Sequence, residues 1–234
     1  MTFFSKFPVI QLNQDNSPKV IRDFFRRVVL SDRFRNNTVL MEDYIVLDGE
    51  TPELVSNKFY ESPYYHWVVL LVNNIINPRE EWPIPENKVI EQVYMNYDMI
   101  ITVPSGAAYT VDDELQSSTG GKFIVMSKSG NTIYIRSQNG YYPLTTSNTI
   151  NNLTTEVTGL VISTVTLPEN RVHHYYDTSL ECIVDYDAGN LNLITVTNLE
   201  HELEQNDAKR AIKVLSPEYL GSLDSEFTRL VNKP

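Results

Sequence analysis

Residues 44–85, YIVLDGETPELVSNKFYESPYYHWVVLLVNNIINPREEWPIP, decide how this chain is organised. The apolar, partly β-branched run 44–47 ends at Asp48-Gly49, a dipeptide typical of tight turns, so it predicts a short strand followed by a turn. Thr51 is placed to cap a helix whose first position is Pro52, where proline is well tolerated. The stretch therefore begins as strand, turn and helix.

A second helix is predicted within the same stretch. Ser62 and Pro63 repeat the start signal, and helical spacing then relates Trp67, Leu70, Leu71 and Asn74. Pro78 ends this helix because proline disfavours helical backbone at the residue before it. A β-α-α unit of this size is too small to bury a core alone, so it needs neighbours.

The first 40 residues combine apolar residues with clustered cations. Residues 1–16 read as an extended segment whose Phe4 and Phe7 must pack on the chain or on a neighbour. Ser17-Pro18 predicts the start of a helix with an apolar face formed by Val20, Ile21, Phe24, Phe25, Val28 and Val29. Residues 19–35 contain six cationic residues and only two acidic ones. The cationic residues are Lys19, Arg22, Arg26, Arg27, Arg33 and Arg35. This pattern is either a solvated basic face or a docking face for an acidic partner.

Strand patterns dominate the middle of the chain. Residues 92–101 predict a mixture of helix and strand, and residues 122–126 and 132–136 predict a hairpin around Gly130. Further strands are predicted at 141–144, as the third strand of a meander, and within 159–167. We interpret this block as an inserted small β domain.

The final third predicts a hairpin, an arm and a helix. Residues 180–186 and 191–197 flank a turn-forming Asp187-Ala188-Gly189-Asn190. The charge-dense residues 199–210 predict an exposed arm. Ser216-Pro217 opens a last helix, and its apolar stripe comprises Leu220, Leu223, Phe227, Leu230 and Val231.

Composition narrows the class of protein. With 234 residues, 41% of them hydrophobic and 21% charged, the chain can bury a core. Its net charge of −11 argues against nucleic-acid binding, which needs clustered cations. No run approaches the ~20 apolar residues that span a membrane, and no signal-peptide pattern opens the sequence. We therefore expect the product to stay in the cytoplasm where it is made.

The single cysteine, Cys182, lies in an apolar run and is expected to be buried.

The sequence offers no pattern for catalysis. His173 and His174 are adjacent on a predicted strand, so their side chains should point to opposite faces and not share a metal ion. Asp185 and Asp187 share a strand face but precede a turn, and no opposed carboxylate pair is evident. No phosphate-binding glycine loop or nucleophile elbow occurs. We expect no catalytic residue, no metal site, no cofactor and no enzyme activity.

Part of residues 44–85 resembles the LysM module, a βααβ peptidoglycan-binding unit. The matching residues are Tyr44, Val46, Gly49, Glu50, Thr51, Val55, Ser56, Lys58, Phe59, Tyr60, Trp67 and Asn74. The resemblance implies the fold and, as an alternative function, peptidoglycan binding by a tail-tip component. The Pro-Gly turn that usually precedes the second strand is replaced here by residues 78–82, which contain no glycine. We therefore do not expect the glycan-binding activity to carry over.

The longer pattern is similar to the baseplate wedge protein family of T-even-type contractile-tailed bacteriophages, which contains a LysM-like domain. The resemblance lies in residues 66–71, 73–74, 77–78 and 82–83, with further matches at 4–8 and 206–215. It implies a structural virion protein of the tail baseplate, assembled in the bacterial host cytoplasm and present in several copies in a six-fold assembly. The implied partners are wedge-core subunits and a sheath-initiator-like neighbour, with no nucleic acid and no membrane, and the implied role is to help join adjacent wedges.

The predicted fold class is α+β, in four segments. These are an N-terminal extended segment and helix (1–40), a LysM-like βαα(β) module (41–88), an inserted small antiparallel β domain (89–170) and a C-terminal β-hairpin, arm and helix (171–234). The residues predicted to contact partners are Phe4, Phe7, Arg22, Arg26, Arg27, His66, Trp67, Trp82, Asn206, Lys209 and Arg210. Trp82 is preferred to Trp67 as an interface residue because it lies between extended proline segments.

Overall fold

The protein combines helices and sheets in two compact units. The structure, a computed structural model, describes residues 3–14, 17–23, 26, 28–30, 34, 36–104 and 109–233. One unit comprises residues 1–83 and 207–234, and the other comprises residues 84–206. This grouping differs from the four predicted segments, because the chain leaves the first unit after residue 83 and re-enters it at residue 207.

The described residues contain fourteen strands and six α-helices. The strands are β1 (Val9–Gln14), β2 (Ser17–Arg22), β3 (Met41–Ile45), β4 (Met99–Thr102), β5 (Glu114–Ser117), β6 (Lys122–Ser129), β7 (Thr132–Ser137), β8 (Thr149–Asn152), β9 (Val157–Val161), β10 (Thr164–Thr166), β11 (Val172–Asp177), β12 (Cys182–Val184), β13 (Leu193–Thr197) and β14 (Ala211–Leu215). The helices are α1 (Pro52–Tyr60), α2 (His66–Val72), α3 (Pro78–Glu81), α4 (Glu86–Asn96), α5 (Asn198–Ala208) and α6 (Leu220–Val231).

The predicted N-terminal helix is wrong where the structure describes it. Residues 17–22 form β2, which pairs antiparallel with β1 so that Val9 lies opposite Arg22 and Gln11 opposite Val20. The β-branched residues of this segment favour strand backbone, and pairing with the apolar segment 9–12 outweighs their helix-like spacing. Phe24, Phe25 and Arg27, which the prediction also used, lie outside the described residues.

The β-α-α prediction is confirmed at the level of its elements. The side chain of Thr51 accepts a hydrogen bond from the Leu54 N–H, and Pro52 opens α1, as the sequence indicates. The prediction that Pro78 ends the second helix is wrong, because α2 ends at Val72 and Pro78 opens α3, so no second strand follows there. The strand that pairs with β3 is β14, with Ala211 opposite Ile45 and Leu215 opposite Met41. The unit is thus completed by chain that lies more than a hundred residues away in sequence.

Helix α6 supplies part of the first unit's core, as its apolar stripe predicts. Leu223, Phe227 and Val231 are buried, and the Phe227 ring lies 4.7 Å from the Trp67 ring between centroids. The same core contains residues of α1, α2 and β14, including Val55, Val68 and Val214. The partner that this stripe needs therefore lies within the chain.

The second unit is built on a seven-stranded antiparallel sheet with the order β10-β4-β7-β6-β5-β8-β9. The predicted hairpin is confirmed as β6 and β7, and Gly130 at its turn has a positive φ of 59°, a conformation that glycine adopts without strain. Residues 92–101 do divide into helix and strand. Residues 141–144 form no strand, and Pro143 lacks the N–H that a central ladder position requires.

A separate three-stranded sheet has the order β12-β11-β13. The strands predicted near 180–186 and 191–197 both exist, but they flank β11 and do not pair with each other. The charge-dense stretch after them is the helix α5 and not an arm. Cys182, expected to be buried, is exposed on β12 because that strand lies at the sheet's edge.

Asp177 holds the turn between β11 and β12, and we expect Asp177→Asn to destabilise the second unit. Its Oδ1 accepts hydrogen bonds from the Ser179 Oγ–H (2.6 Å) and from the N–H groups of Ser179 and Leu180, while Oδ2 accepts one from the Asn190 amide. These donors, the Ser179 hydroxyl foremost, hold the pKa of the carboxyl well below its usual range. The variant's amide would instead set a donor against the Asn190 donor.

The stabilisation by Asp177 should depend on pH. A depressed folded-state pKa contributes stability that is full above the unfolded value of about 3.9 and is lost as the pH falls through the folded value. The gap in melting temperature between wild type and Asp177→Asn should therefore be widest above about pH 5 and narrow below about pH 4. Thermal melts followed by circular dichroism across this range check it; a gap that does not change with pH would contradict it.

Candidate partner-binding surfaces

The amino-terminal aromatic residues pack on the first unit. The Phe3 ring lies 5.4 Å from the ring of Trp67 and 5.4 Å from that of Phe227. Phe7 and Trp67, both predicted to contact partners, are only 5% and 4% exposed, so they belong to the core of this chain. Phe4 is 58% exposed and is the one aromatic side chain of this cluster that presents most of its area outward.

Trp82, the preferred interface residue of the sequence analysis, is also buried. It is 6% exposed, and its indole N–H donates a hydrogen bond of 2.8 Å to the backbone oxygen of Glu50. The flanking prolines do hold the segment extended, but the segment places the ring inside the first unit. Its role in the structure is to fix the loop between β3 and α1.

That loop, residues 46–51, is closed by side chains of the same chain. The Glu50 carboxylate accepts hydrogen bonds from the Tyr44 hydroxyl (2.6 Å) and the Leu47 N–H (2.9 Å). Burial alone would raise the pKa of Glu50, but these hydrogen bonds outweigh it and leave that pKa below its usual range. Arg210 donates to the Val46 oxygen (3.2 Å) and to the Asp48 carboxylate (3.1 Å). The carboxylates of Glu50 and Asp48 and the backbone oxygen of Val46 are therefore hydrogen-bonded within the chain.

Of the predicted contact residues Arg22, Arg26 and Arg27, the structure describes the first two, and both donate hydrogen bonds to backbone oxygens near the chain termini. Arg22 donates to the backbone oxygens of Ser5 (2.8 Å) and Phe7 (2.7 Å). Arg26 pairs with Asp23 at 3.0 Å and donates to the Val231 and Lys233 backbone oxygens.

The remaining predicted contact residues differ in how far they are exposed. His66 lies 3.0 Å from the Pro63 oxygen through its Nδ1 atom. Asn206 is 4% exposed, and its amide both donates to the Ile84 oxygen and accepts from the Ile84 N–H, each at 2.9 Å. Lys209 is exposed. Asn206 thus acts as a structural clamp within the second unit.

One exposed surface is formed by the hairpin of β1 and β2. The sequence did not indicate this hairpin, because the residues of β2 were predicted to form a helix. The strand register places Val9, Gln11, Val20 and Arg22 on one side of the hairpin, and we call this set the outer hairpin face. All four residues are exposed, with Val9 at 54% and Val20 at 65%. The opposite side carries Ile10 and Ile21, which are partly buried. The alternation of apolar and polar residues at 10–13 was the sequence signal for this arrangement.

A second exposed surface lies on the three-stranded sheet of the other unit. Tyr176 of β11 lies between Ile183 of β12 and Ile194 of β13, so these three residues form one row across the sheet. Ile183 is 66% and Ile194 49% exposed, and Leu191 in the connecting segment is 97% exposed. We call the three residues the sheet row. The sequence did not indicate this row, because the segments 180–186 and 191–197 were predicted to pair with each other and not with β11.

Comparison with known protein families decides the class of the protein. The family model described as "Base plate wedge protein 53" matches residues 2–123, which is 122 of the 234 residues. The chain belongs to the base plate wedge protein 53 family. No curated protein matches its sequence.

Membership of the base plate wedge protein 53 family makes the chain a structural protein of a phage tail baseplate, located in the virion tail. The matched residues include the outer hairpin face, β3, α1 and α2, but not β14 or the sheet row. Among the residues that the structure describes, no helix is both long and apolar enough to cross a membrane.

The histidine prediction failed on its geometric premise. A β-bulge between Val172 and His174 inserts an extra residue into β11, so the side chains of His173 and His174 do not diverge. Their Nδ1 atoms lie 2.8 Å apart. The ring of His201, from the first turn of α5, stacks on that of His173 with 3.9 Å between centroids. Sequence alone gave no sign of the bulge.

Proposed function

We propose that this chain is a structural component of the baseplate wedge that binds wedge-core subunits and helps to join adjacent wedges during baseplate assembly. The observation that carries this proposal is the family match over residues 2–123. Within the family's role, this chain would act by presenting docking surfaces. The expected neighbours are wedge-core subunits and a sheath-initiator-like protein, in a six-fold assembly.

The outer hairpin face is the first docking surface that we propose. A two-stranded hairpin is at best marginally stable in water without support on one of its faces. Here one side is partly buried, while the other exposes Val9 and Val20 beside the cationic Arg22. A mixed apolar and cationic surface of this kind fits a partner surface that is apolar with acidic residues around it.

The sheet row is the second docking surface. It lies in the other unit and outside the family match, so it would serve contacts particular to this chain. With one surface on each unit, the chain has the means to hold two neighbours. Each contact can then be modest, because the first raises the effective concentration of the second.

We further propose that the unit formed by β3, α1, α2 and β14 is LysM-like in arrangement and serves as a protein-binding scaffold. In support, β3, α1 and α2 follow one another along the chain, and β3 pairs antiparallel with β14, although α3 and the second unit lie between α2 and β14 in sequence. Against a glycan-binding role, Arg210 and Trp82 occupy the backbone oxygens of Val46 and Glu50 in the loop where a sugar would be expected.

A charge-insertion experiment tests the proposed role. We expect the double variant Val9→Glu/Val20→Glu to lower incorporation into baseplate wedge intermediates by at least about 10-fold, because it places carboxylates on a surface that must be desolvated. The matched control is Val111→Glu, since Val111 is 54% exposed but lies in the other unit. Incorporation is measured by quantifying the chain in purified wedge intermediates, and urea unfolding verifies that both variants remain folded.

The possible outcomes distinguish an error in the proposed docking surface from an error in the proposed function. Normal incorporation of the double variant would show that the outer hairpin face is not a docking surface. Absence of the wild-type chain from wedge intermediates and from tails would overturn the structural role itself. A pull-down on purified peptidoglycan serves as the third arm, and retention that is lost when residues 49–51 are changed would establish glycan binding instead.

A further inference from the structure

Three of the four histidines of this chain lie together in the second unit. Among the described residues, His173, His174 and His201 are the one group of histidine, cysteine or acidic residues placed to share a metal ion. One potential ligand atom from each lies within 4.8 Å of the others. We propose that they form a binding site for one divalent transition-metal ion of the Zn²⁺ class.

The distances suit a common ion. A tetrahedral Zn²⁺ ion with Zn–N distances of about 2.0–2.1 Å holds its ligand nitrogens about 3.3 Å apart. The Nδ1 atoms of His173 and His174 are 2.8 Å apart, and the rings of His174 and His201 are 5.6 Å apart between centroids. The rings of His173 and His201 are stacked, so rotation of the His201 ring out of this stack is needed to bring three imidazole nitrogens to one centre. With no ion present, one Nδ1–H donates to the other Nδ1; when an ion binds, both Nδ1 atoms turn their lone pairs to it and carry their protons on Nε2.

The backbone around the three residues is fixed by local contacts. The bulge in β11 sets His173 and His174. At the start of α5, Thr197 and Glu200 form a reciprocal cap, in which the Thr197 N–H donates to the Glu200 carboxylate (2.8 Å) and the Glu200 N–H donates to the Thr197 hydroxyl (3.3 Å). The Asn198 amide donates 2.8 Å to the Pro168 oxygen and is buried. His201 is thus presented by a capped first turn that is anchored beside β11.

Tyr97 and Glu202 lie beside the three histidines. The Tyr97 ring packs edge-on against His173 at 5.9 Å, and its hydroxyl donates 2.7 Å to the Glu202 carboxylate. Glu202 therefore brings one negative charge near the site, which offsets part of the charge of a bound cation. Imidazole ligands without thiolate are suited to Zn²⁺, Ni²⁺ and Cu²⁺.

The site would join β11 to α5 and so stabilise the second unit. This inference does not depend on the proposed docking role, and the site lies beyond the residues matched by the family model. Because only the folded unit brings the three histidines together, ion binding should raise its melting temperature.

Zinc titration of the full-length, tag-free chain tests the proposal. At about pH 7.5, where histidine is mainly neutral, we expect one Zn²⁺ per chain with a dissociation constant of about 10 µM or tighter. His174→Gln and His201→Gln should each weaken zinc binding by at least about 100-fold. Loss of a metal ligand should lower metal affinity at least as much as loss of a neighbouring side chain that orients a ligand. His66→Gln is the matched control, because His66 is the fourth histidine and lies in the other unit. Cys182→Ser excludes the exposed thiol as a ligand and should bind as the wild type does.

The readouts are isothermal titration calorimetry, the visible absorption of bound Co²⁺ and the Zn²⁺-dependent rise in melting temperature. No saturable binding to the wild type up to about 1 mM Zn²⁺ would overturn the proposal, whatever happens to the variants. So would full binding by His201→Gln, or loss of binding in Cys182→Ser. Circular dichroism of the metal-free variants verifies that a lost site is not a lost fold.

Discussion

The variant Phe227→Ala should lower the free energy of unfolding of the first unit by about 3–5 kcal/mol. Phe227 is 3% exposed and contacts three other aromatic rings, those of Phe3, Phe7 and Trp67, with centroid distances of 5.4, 6.1 and 4.7 Å. Its removal leaves a cavity that rigid neighbours in α2 cannot fill. It also removes a ring on which the amino-terminal segment packs, so β1 and β2 should lose support.

Urea unfolding followed by tryptophan fluorescence measures this effect. Both tryptophans of the chain, Trp67 and Trp82, lie in the first unit, so the signal reports on that unit and not on the other. Phe4→Ala is the matched control, because it deletes the same side chain at a position that is 58% exposed, and it should cost no more than about 0.5 kcal/mol. Equal costs for the two variants would show that the aromatic cluster does not form as described.

The variant Trp82→Ala should also cost about 3–5 kcal/mol. It removes a ring that is 6% exposed and leaves the Glu50 backbone oxygen without the indole N–H that lies 2.8 Å away. Trp82→Phe should cost less, about 1–2 kcal/mol, because it keeps most of the apolar ring and loses chiefly the hydrogen bond. Urea unfolding, with Trp67 as the remaining fluorophore, measures both costs.

This pair of variants separates a core tryptophan from an interface tryptophan. An interface residue would leave the free energy of unfolding nearly unchanged on truncation and would impair only wedge assembly. Unfolding curves for Trp82→Ala that overlay those of the wild type would therefore refute its place in the core. Impaired assembly together with lowered stability is the result that the structure predicts, since a loosened loop between β3 and α1 disturbs every surface nearby.

Local signals in the sequence were sufficient for some elements. Thr51 and Pro52 do begin α1, the glycine at position 130 does form the turn of the β6–β7 hairpin, and the stripe through Phe227 is the buried face of α6. These three features depend on the backbone preferences of single residues or on the spacing of apolar side chains within one element. Such signals act over a few residues of sequence. The α+β class followed from the same local patterns, whereas the baseplate family was indicated by resemblance to a known family at residues 4–8, 66–83 and 206–215.

Other predictions failed where a distant partner decided the outcome. The segment starting at Ser17 became β2 because β1 was available to pair with it. The strands at 182–184 and 193–197 separated because β11 lies between them. Trp82 looked like an interface residue because nothing near it in sequence shows that the Glu50 oxygen is its hydrogen-bond partner.

The sequence by itself determined the short-range features of this protein: helix caps, turns, the α6 stripe and the residues that carry the family resemblance. Only the tertiary structure decided that β14 completes the unit around β3, that Phe7, Trp67 and Trp82 are core residues, and that three histidines meet beside β11. The physical reason is that strand pairing, aromatic packing and the β11 bulge join residues that are far apart in sequence. Their free energy depends on which surfaces meet in the folded chain, and no local pattern of residues records that.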